Sequence, residues 1–165
     1  MGCEDFRVTL RSSMELGAAH RHLLADARIV SDPEGGPLPQ GCYLAYDDGE
    51  HLIELELYCV EPRIELSVRF ALCNPDSVDN AFIDLVMLLA ERLDAEVSVM
   101  ENISPGVRGD FSPSELGPFS EIVKPMIAKK RAYWIADFGT ERAPISCNEA
   151  LRRFVMRLSP SSLSK

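Results

Sequence analysis

Within the stretch from Tyr43 to Leu72, apolar and polar side chains alternate over Ile53–Leu57 and Ile64–Phe70, and turn signals fall at Asp48-Gly49 and Glu61-Pro62. Period-2 alternation marks strands with one buried and one wet face, so this stretch reads as three antiparallel strands joined by two turns. Asp48-Gly49 favours a two-residue type I′ hairpin, because both central residues of that turn need positive φ. Such a loop places Tyr43 opposite Glu54 and Leu44 opposite Ile53. Centring 51–60 and 63–72 on Glu61-Pro62 sets Ile53, Leu55, Leu57 and Cys59 opposite Phe70, Val68, Leu66 and Ile64, so each apolar residue meets an apolar one. A slip of one residue would set apolar side chains against charges, which specifies the register. Proline at the second turn position fits neither common tight turn, so this loop is expected to be wider than two residues or to contain a cis bond.

The same register gathers a polar face. Tyr43, Glu54 and Arg69 form one row, Glu56 and Tyr58 lie beside it, and Glu65 stands opposite Tyr58. Charged and hydroxyl groups on one sheet face can hold a polar ligand or a partner. As an ordinary solvated face, its cross-strand pairs would contribute only about 0.2–1 kcal/mol each.

Around this meander the elements are set by spacing. Phe6, Val8 and Leu10 alternate with Arg7, Thr9 and Arg11, giving a strand over 5–11. Ser12 and Glu15 form a capping box for a helix over 13–29, and the Pro/Gly-rich segment 31–41 is a loop. Asn74-Pro75 opens a helix over about 75–93. Ala95 to Glu101 then reads as a strand, and strand, helix, strand implies a parallel right-handed crossover. After a loop over 102–110, Ser112 and Glu115 cap a short turn, and Gly117-Pro118 and Pro125 interrupt the next segment to give a kinked helix. Ala132 to Phe138 reads as a sixth, aromatic-rich strand, and Ser146 with Glu149 caps a last helix.

With 165 residues, 46% of them hydrophobic, the chain has material for one well-buried core. The expected fold is therefore a single α+β domain over 1–158 with a flexible tail at 159–165. Its sheet is mixed, of five to six strands around a central antiparallel meander, with helices packed mainly on one face, loosely ferredoxin-like.

Charge narrows the partners. Residues 1–123 carry 8 Lys/Arg against 23 Asp/Glu, while 124–165 carry 9 against 3. An acidic body repels phosphate backbones, which argues against nucleic acid as a general ligand. The basic segment 124–165 is placed to dock on its own body or on an acidic partner. Arg152, Arg153 and Arg157 are its natural partners for Glu54 and Glu56. Lys124, Lys129, Lys130 and Arg131 beside Tyr133 and Trp134 have the composition of a single-strand-binding patch, but cations that complement a helix end explain them more simply.

Five cysteines without C-x-x-C spacing read as reduced, mostly buried thiols. No apolar run approaches the roughly 18 residues of a membrane span and no signal leads the chain, so a cytoplasmic protein is expected. His20 and His22 point in different directions on a helix and cannot chelate together, so no metal or cofactor is expected. Each of these two, like His51, is a general base only if a carboxylate orients it. Asp47, Asp48 and Glu50 lack the twelve-residue calcium-loop pattern and read as turn chemistry. Arg108-Gly109-Asp110 and the loop Gly106 to Gly109 match short adhesion and nucleic-acid motifs without their contexts.

No catalytic motif stands out and no catalytic residue is assigned. The sequence is read as a small acidic interaction module with a protein partner, of the inhibitor or immunity-type antagonist kind, binding through Tyr43, Glu54, Glu56, Tyr58, Glu65 and Arg69. The alternative is a small-molecule-binding or sensing domain with its ligand between the sheet and the loop 31–41. An enzyme using His20, His51 or the Glu54 and Glu56 carboxylates comes third.

Overall fold

The computed structural model describes residues 5–31, 41–72, 74, 76–99 and 109–138. Its elements are β1 (Asp5–Ser12), α1 (Leu16–Leu24), β2 (Ile29–Ser31), β3 (Gly41–Asp47), β4 (Leu52–Val60), β5 (Arg63–Ala71), α2 (Ser77–Leu93), β6 (Glu96–Val99), β7 (Gly109–Phe111), a 3-10 turn (Pro113–Glu115) and α3 (Phe119–Phe138). The fold class is α+β. Among the described residues the strands form one seven-stranded sheet in the order β2-β3-β4-β5-β1-β6-β7.

Every neighbouring pair of strands is antiparallel, so the sheet is not mixed, and it has more strands than the five or six expected. The crossover through α2 still joins parallel strands. β5 and β6 are each antiparallel to β1, which lies between them, so the connection steps over one strand. β1 takes that slot because Phe6, Val8 and Leu10 sit opposite Phe70, Val68 and Leu66 and continue the apolar face.

The β4–β5 register is the one the alternation specifies, with Leu55 opposite Val68, Leu57 opposite Leu66 and Cys59 opposite Ile64. Its loop is Glu61-Pro62, and that peptide bond is cis. The β3–β4 register differs from expectation by two residues: Tyr43 faces Glu56 and Leu44 faces Leu55. Asp48-Gly49 does not close a two-residue turn there. Asp47 Oδ1 accepts the Gly49 amide (2.8 Å), and Asp48 Oδ1 accepts the amides of Glu50 (2.9 Å) and His51 (2.7 Å), which closes a wider loop over 48–51. Gly49 supplies the positive φ of +90° that this loop needs. An even shift preserves which face each side chain occupies.

Other boundaries differ for tertiary reasons. Ser12 does not cap α1; its hydroxyl donates to the Leu93 carbonyl (2.5 Å) and ties the end of β1 to the end of α2. The helix expected to run to residue 29 stops at Leu24, and Ile29–Ser31 pairs with β3 as an edge strand. Asn74 does not cap α2, which starts at Ser77; its side chain is buried, and its carboxamide atoms have no partner among the described residues. β7 pairs with β6 inside the expected loop. Ser112 and Glu115 do form their capping box, on the 3-10 turn.

The largest correction is at 119–138, which is one helix rather than a kinked segment followed by a strand. Phe119, Val123, Ile127, Lys130 and Trp134 recur every three or four residues and are all buried, while Tyr133 and Ile135 are exposed. That helical stripe outweighs the amide missing at Pro125 and the aromatic character of 132–138. The expected last helix and the tail at 159–165 lie outside the described residues.

The three described helices bury their apolar faces against one side of the sheet. Phe82 of α2 packs edge-on against Phe6 (5.8 Å between centroids) and at a tilt against Phe70 (4.9 Å). The opposite side of the sheet carries the polar face, with a small apolar cluster of Ala45 and Leu52 backed by Val30.

Candidate functional site

Because β4 and β5 alternate in register, Glu54, Glu56 and Tyr58 share the polar face with Glu65, Ser67 and Arg69. Arg69 is the hub. Its Nε donates to Glu54 Oε2 (2.8 Å), and one terminal nitrogen lies 2.5 Å from that oxygen and 3.0 Å from Glu56 Oε1. Tyr58 donates its hydroxyl to Glu56 Oε2 (2.5 Å). Tyr43, though opposite Glu56 rather than Glu54, reaches Glu54 on the diagonal and hydrogen-bonds it. Burial and then the neighbouring Glu54 carboxylate push the Tyr43 phenol well above its usual range.

Five of the six residues assigned from sequence thus form one network. Glu65 does not join it: Arg11 on β1 donates to its carboxylate (2.8 Å), a partner that could not be seen before β1 was known to neighbour β5. The side chains of Glu54, Glu56 and Arg69 are 15%, 20% and 27% exposed, so the cluster is a half-buried, pre-ordered platform. Two carboxylates share one guanidinium, which leaves an excess negative charge. Toward the β4–β5 turn, Tyr58 and Val60 are 43% and 49% exposed and add an apolar rim.

A second polar constellation joins the β3–β4 turn to the start of α2. Asp26 binds Arg28 through both carboxylate oxygens (2.9 and 2.8 Å). Arg28 donates to the Tyr46 hydroxyl (3.1 Å), and that hydroxyl donates to Asp48 Oδ2 (3.3 Å). His51 Nδ1 lies 3.0 Å from the same Asp48 oxygen, and His51 Nε2 lies 3.0 Å from Ser77 Oγ. Burial alone would raise the Asp48 carboxyl, but hydrogen bonds from the His51 ring and from the His51 and Glu50 amides bring it down to about 2. In the sequence His51 stands alone and Asp48 belongs to turn chemistry. Ser77 lies 26 residues beyond His51, and no local spacing could have announced the contact.

Other candidates fall away from both clusters. His20 Nε2 is buried without a hydrogen-bond partner among the described residues, and His22 is exposed. Cys42 is buried, but Cys59, in its expected register opposite Ile64, is exposed at the end of β4. Arg131 is mid-helix and donates to the carbonyls of Leu72 (2.7 Å) and Asn74 (2.6 Å) and to Asp79, so it clamps α3 to α2 rather than facing a ligand. Among the described residues no three His, Cys, Asp or Glu side chains are grouped to hold a metal ion, and no helix is long and apolar enough to cross a membrane. Of the expected loop 31–41, Ser31 and Gly41 belong to β2 and β3, and residues 32–40, like the arginines 152, 153 and 157, lie outside the described residues. No family model, curated protein or solved structure matches the chain.

Proposed function

We propose that the protein is a small acidic interaction module of the cytoplasm whose polar sheet face docks a basic protein surface, in the manner of an inhibitor or immunity-type antagonist. The observation that carries this reading is the Arg69 hub, where Glu54 and Glu56 are fixed side by side with Tyr43 and Tyr58 donating to them. Groups held in place before binding lose little entropy on association, and a surplus carboxylate beside exposed Tyr58 and Val60 suits an incoming Lys or Arg with an apolar stem. The excess of 23 Asp/Glu over 8 Lys/Arg in residues 1–123 would steer such a partner. Free thiols at Cys42 and Cys59 are in keeping with a reducing compartment.

The test is capture of a partner from host lysate at low and high salt, followed by calorimetry with the purified partner. Glu54→Gln with Glu56→Gln should weaken a salt-sensitive complex about tenfold or more. A partner that binds wild type and this variant equally, with circular dichroism unchanged, would show that the sheet face is not the docking surface.

A further inference from the structure

We propose that Ser77, His51 and Asp48 form a nucleophilic acyl-transfer site that hydrolyses small activated esters. Both contacts of the His51 ring are 3.0 Å, inside the range in which a base takes a hydroxyl proton and a carboxylate orients that base. Such a site is recognised by geometry and roles rather than by sequence order.

The hydrogen-bond network determines the direction of proton flow. Asp48 accepts two backbone amides at Oδ1 and the Tyr46 hydroxyl at Oδ2, and the His51 ring lies against that same Oδ2. An ionised carboxylate has no proton to give, so His51 Nδ1 carries the hydrogen and Nε2 of the neutral ring presents its lone pair to Ser77 Oγ. Arg28, itself gripped by Asp26, donates to Tyr46 and orders the chain behind Asp48. The charged groups facing the His51 ring among the described residues are Asp48 and, 3.8 Å from Nε2, Glu50; both lie beside the ring that gains positive charge when Ser77 gives it a proton. Ser77 is the first residue of the 17-residue α2, so the positive end of that helix lies beside the nucleophile. The serine is exposed, whereas the His51 side chain is only 12% exposed, an accessible nucleophile on a sheltered base.

In the reaction Ser77 Oγ bonds to the ester carbonyl carbon while its proton passes to His51 Nε2. The ester C–O bond then breaks, and the departing alkoxide takes that proton and leaves as the alcohol. Water attacks the acyl-serine, gives a proton to His51, and the acid departs as Oγ recovers it. The net change is ester plus water to acid plus alcohol.

The experiment treats the full chain with a fluorophosphonate probe, maps the adduct by tandem mass spectrometry and follows p-nitrophenyl acetate hydrolysis. The adduct should sit on Ser77 and vanish in Ser77→Ala, and His51→Gln should slow both reactions about 100-fold. No adduct at Ser77, or labelling undiminished in His51→Gln, overturns the proposal. Should that variant fail to fold, nitrogen-detected NMR of the wild-type ring decides: hydrogen on Nδ1 near neutral pH supports the site, and hydrogen on Nε2 overturns it.

Discussion

Replacing Asp26 with Asn should expose how much of this protein's stability depends on pH through one carboxylate. Asp26 is 7% exposed, and the Arg28 side chain grips it through both oxygens while the Arg28 amide adds a third bond (3.1 Å). These bonds, with Arg92 at 3.5 Å, outweigh burial and lower its carboxyl from 3.8 to about 2. A fall of that size corresponds to about 2 kcal/mol at neutral pH, and screening at the half-exposed Arg28 brings the expected value to about 1–2 kcal/mol. A folded-state value below the unfolded one means the unfolded chain binds the proton more readily. The contribution is therefore complete well above pH 3.8 and is lost as pH falls through about 2. Urea unfolding followed by Trp134 fluorescence at pH 7, 5, 4 and 3 should show Asp26→Asn weaker than wild type by about 1–2 kcal/mol at pH 7, the gap narrowing steadily below pH 5. Molar salt should shrink the gap at pH 7. A gap independent of pH, or none at pH 7, would refute the assignment of this stability to the ionised carboxylate.

Phe82→Ala removes the fully buried ring between Phe6 and Phe70 and should cost about 3–5 kcal/mol by the same assay; a loss below about 1 kcal/mol would mean the rings are not packed as described. Arg131→Met strands Asp79, which burial already holds above the usual carboxylate range despite the arginine, and should cost about 3–5 kcal/mol. Adding Asp79→Asn should recover part of that loss, and strict additivity of the two changes would show that they do not interact.

The meander was legible in the sequence because alternation is local and binary. The pairing of Leu55 with Val68 and of Glu54 with Arg69 results from burying one face, and the proline in Glu61-Pro62 announced its unusual turn. Five of the six surface residues came together for the same reason, and Tyr43 survived a two-residue register error because an even shift keeps the face. Where local signals misled, a distant partner had decided. Ser12 looks like a cap until Leu93 offers its carbonyl, and 132–138 looks like a strand until the stripe from Phe119 to Trp134 finds a surface to bury against. The Ser77–His51–Asp48 contact is wholly tertiary: a turn closed by side-chain oxygens delivers His51 to the first residue of a helix 26 positions away. Periodicity determines which side of an element is buried; which elements meet across that buried side, and which polar groups are brought together at its rim, is settled by packing and exists only in the folded chain.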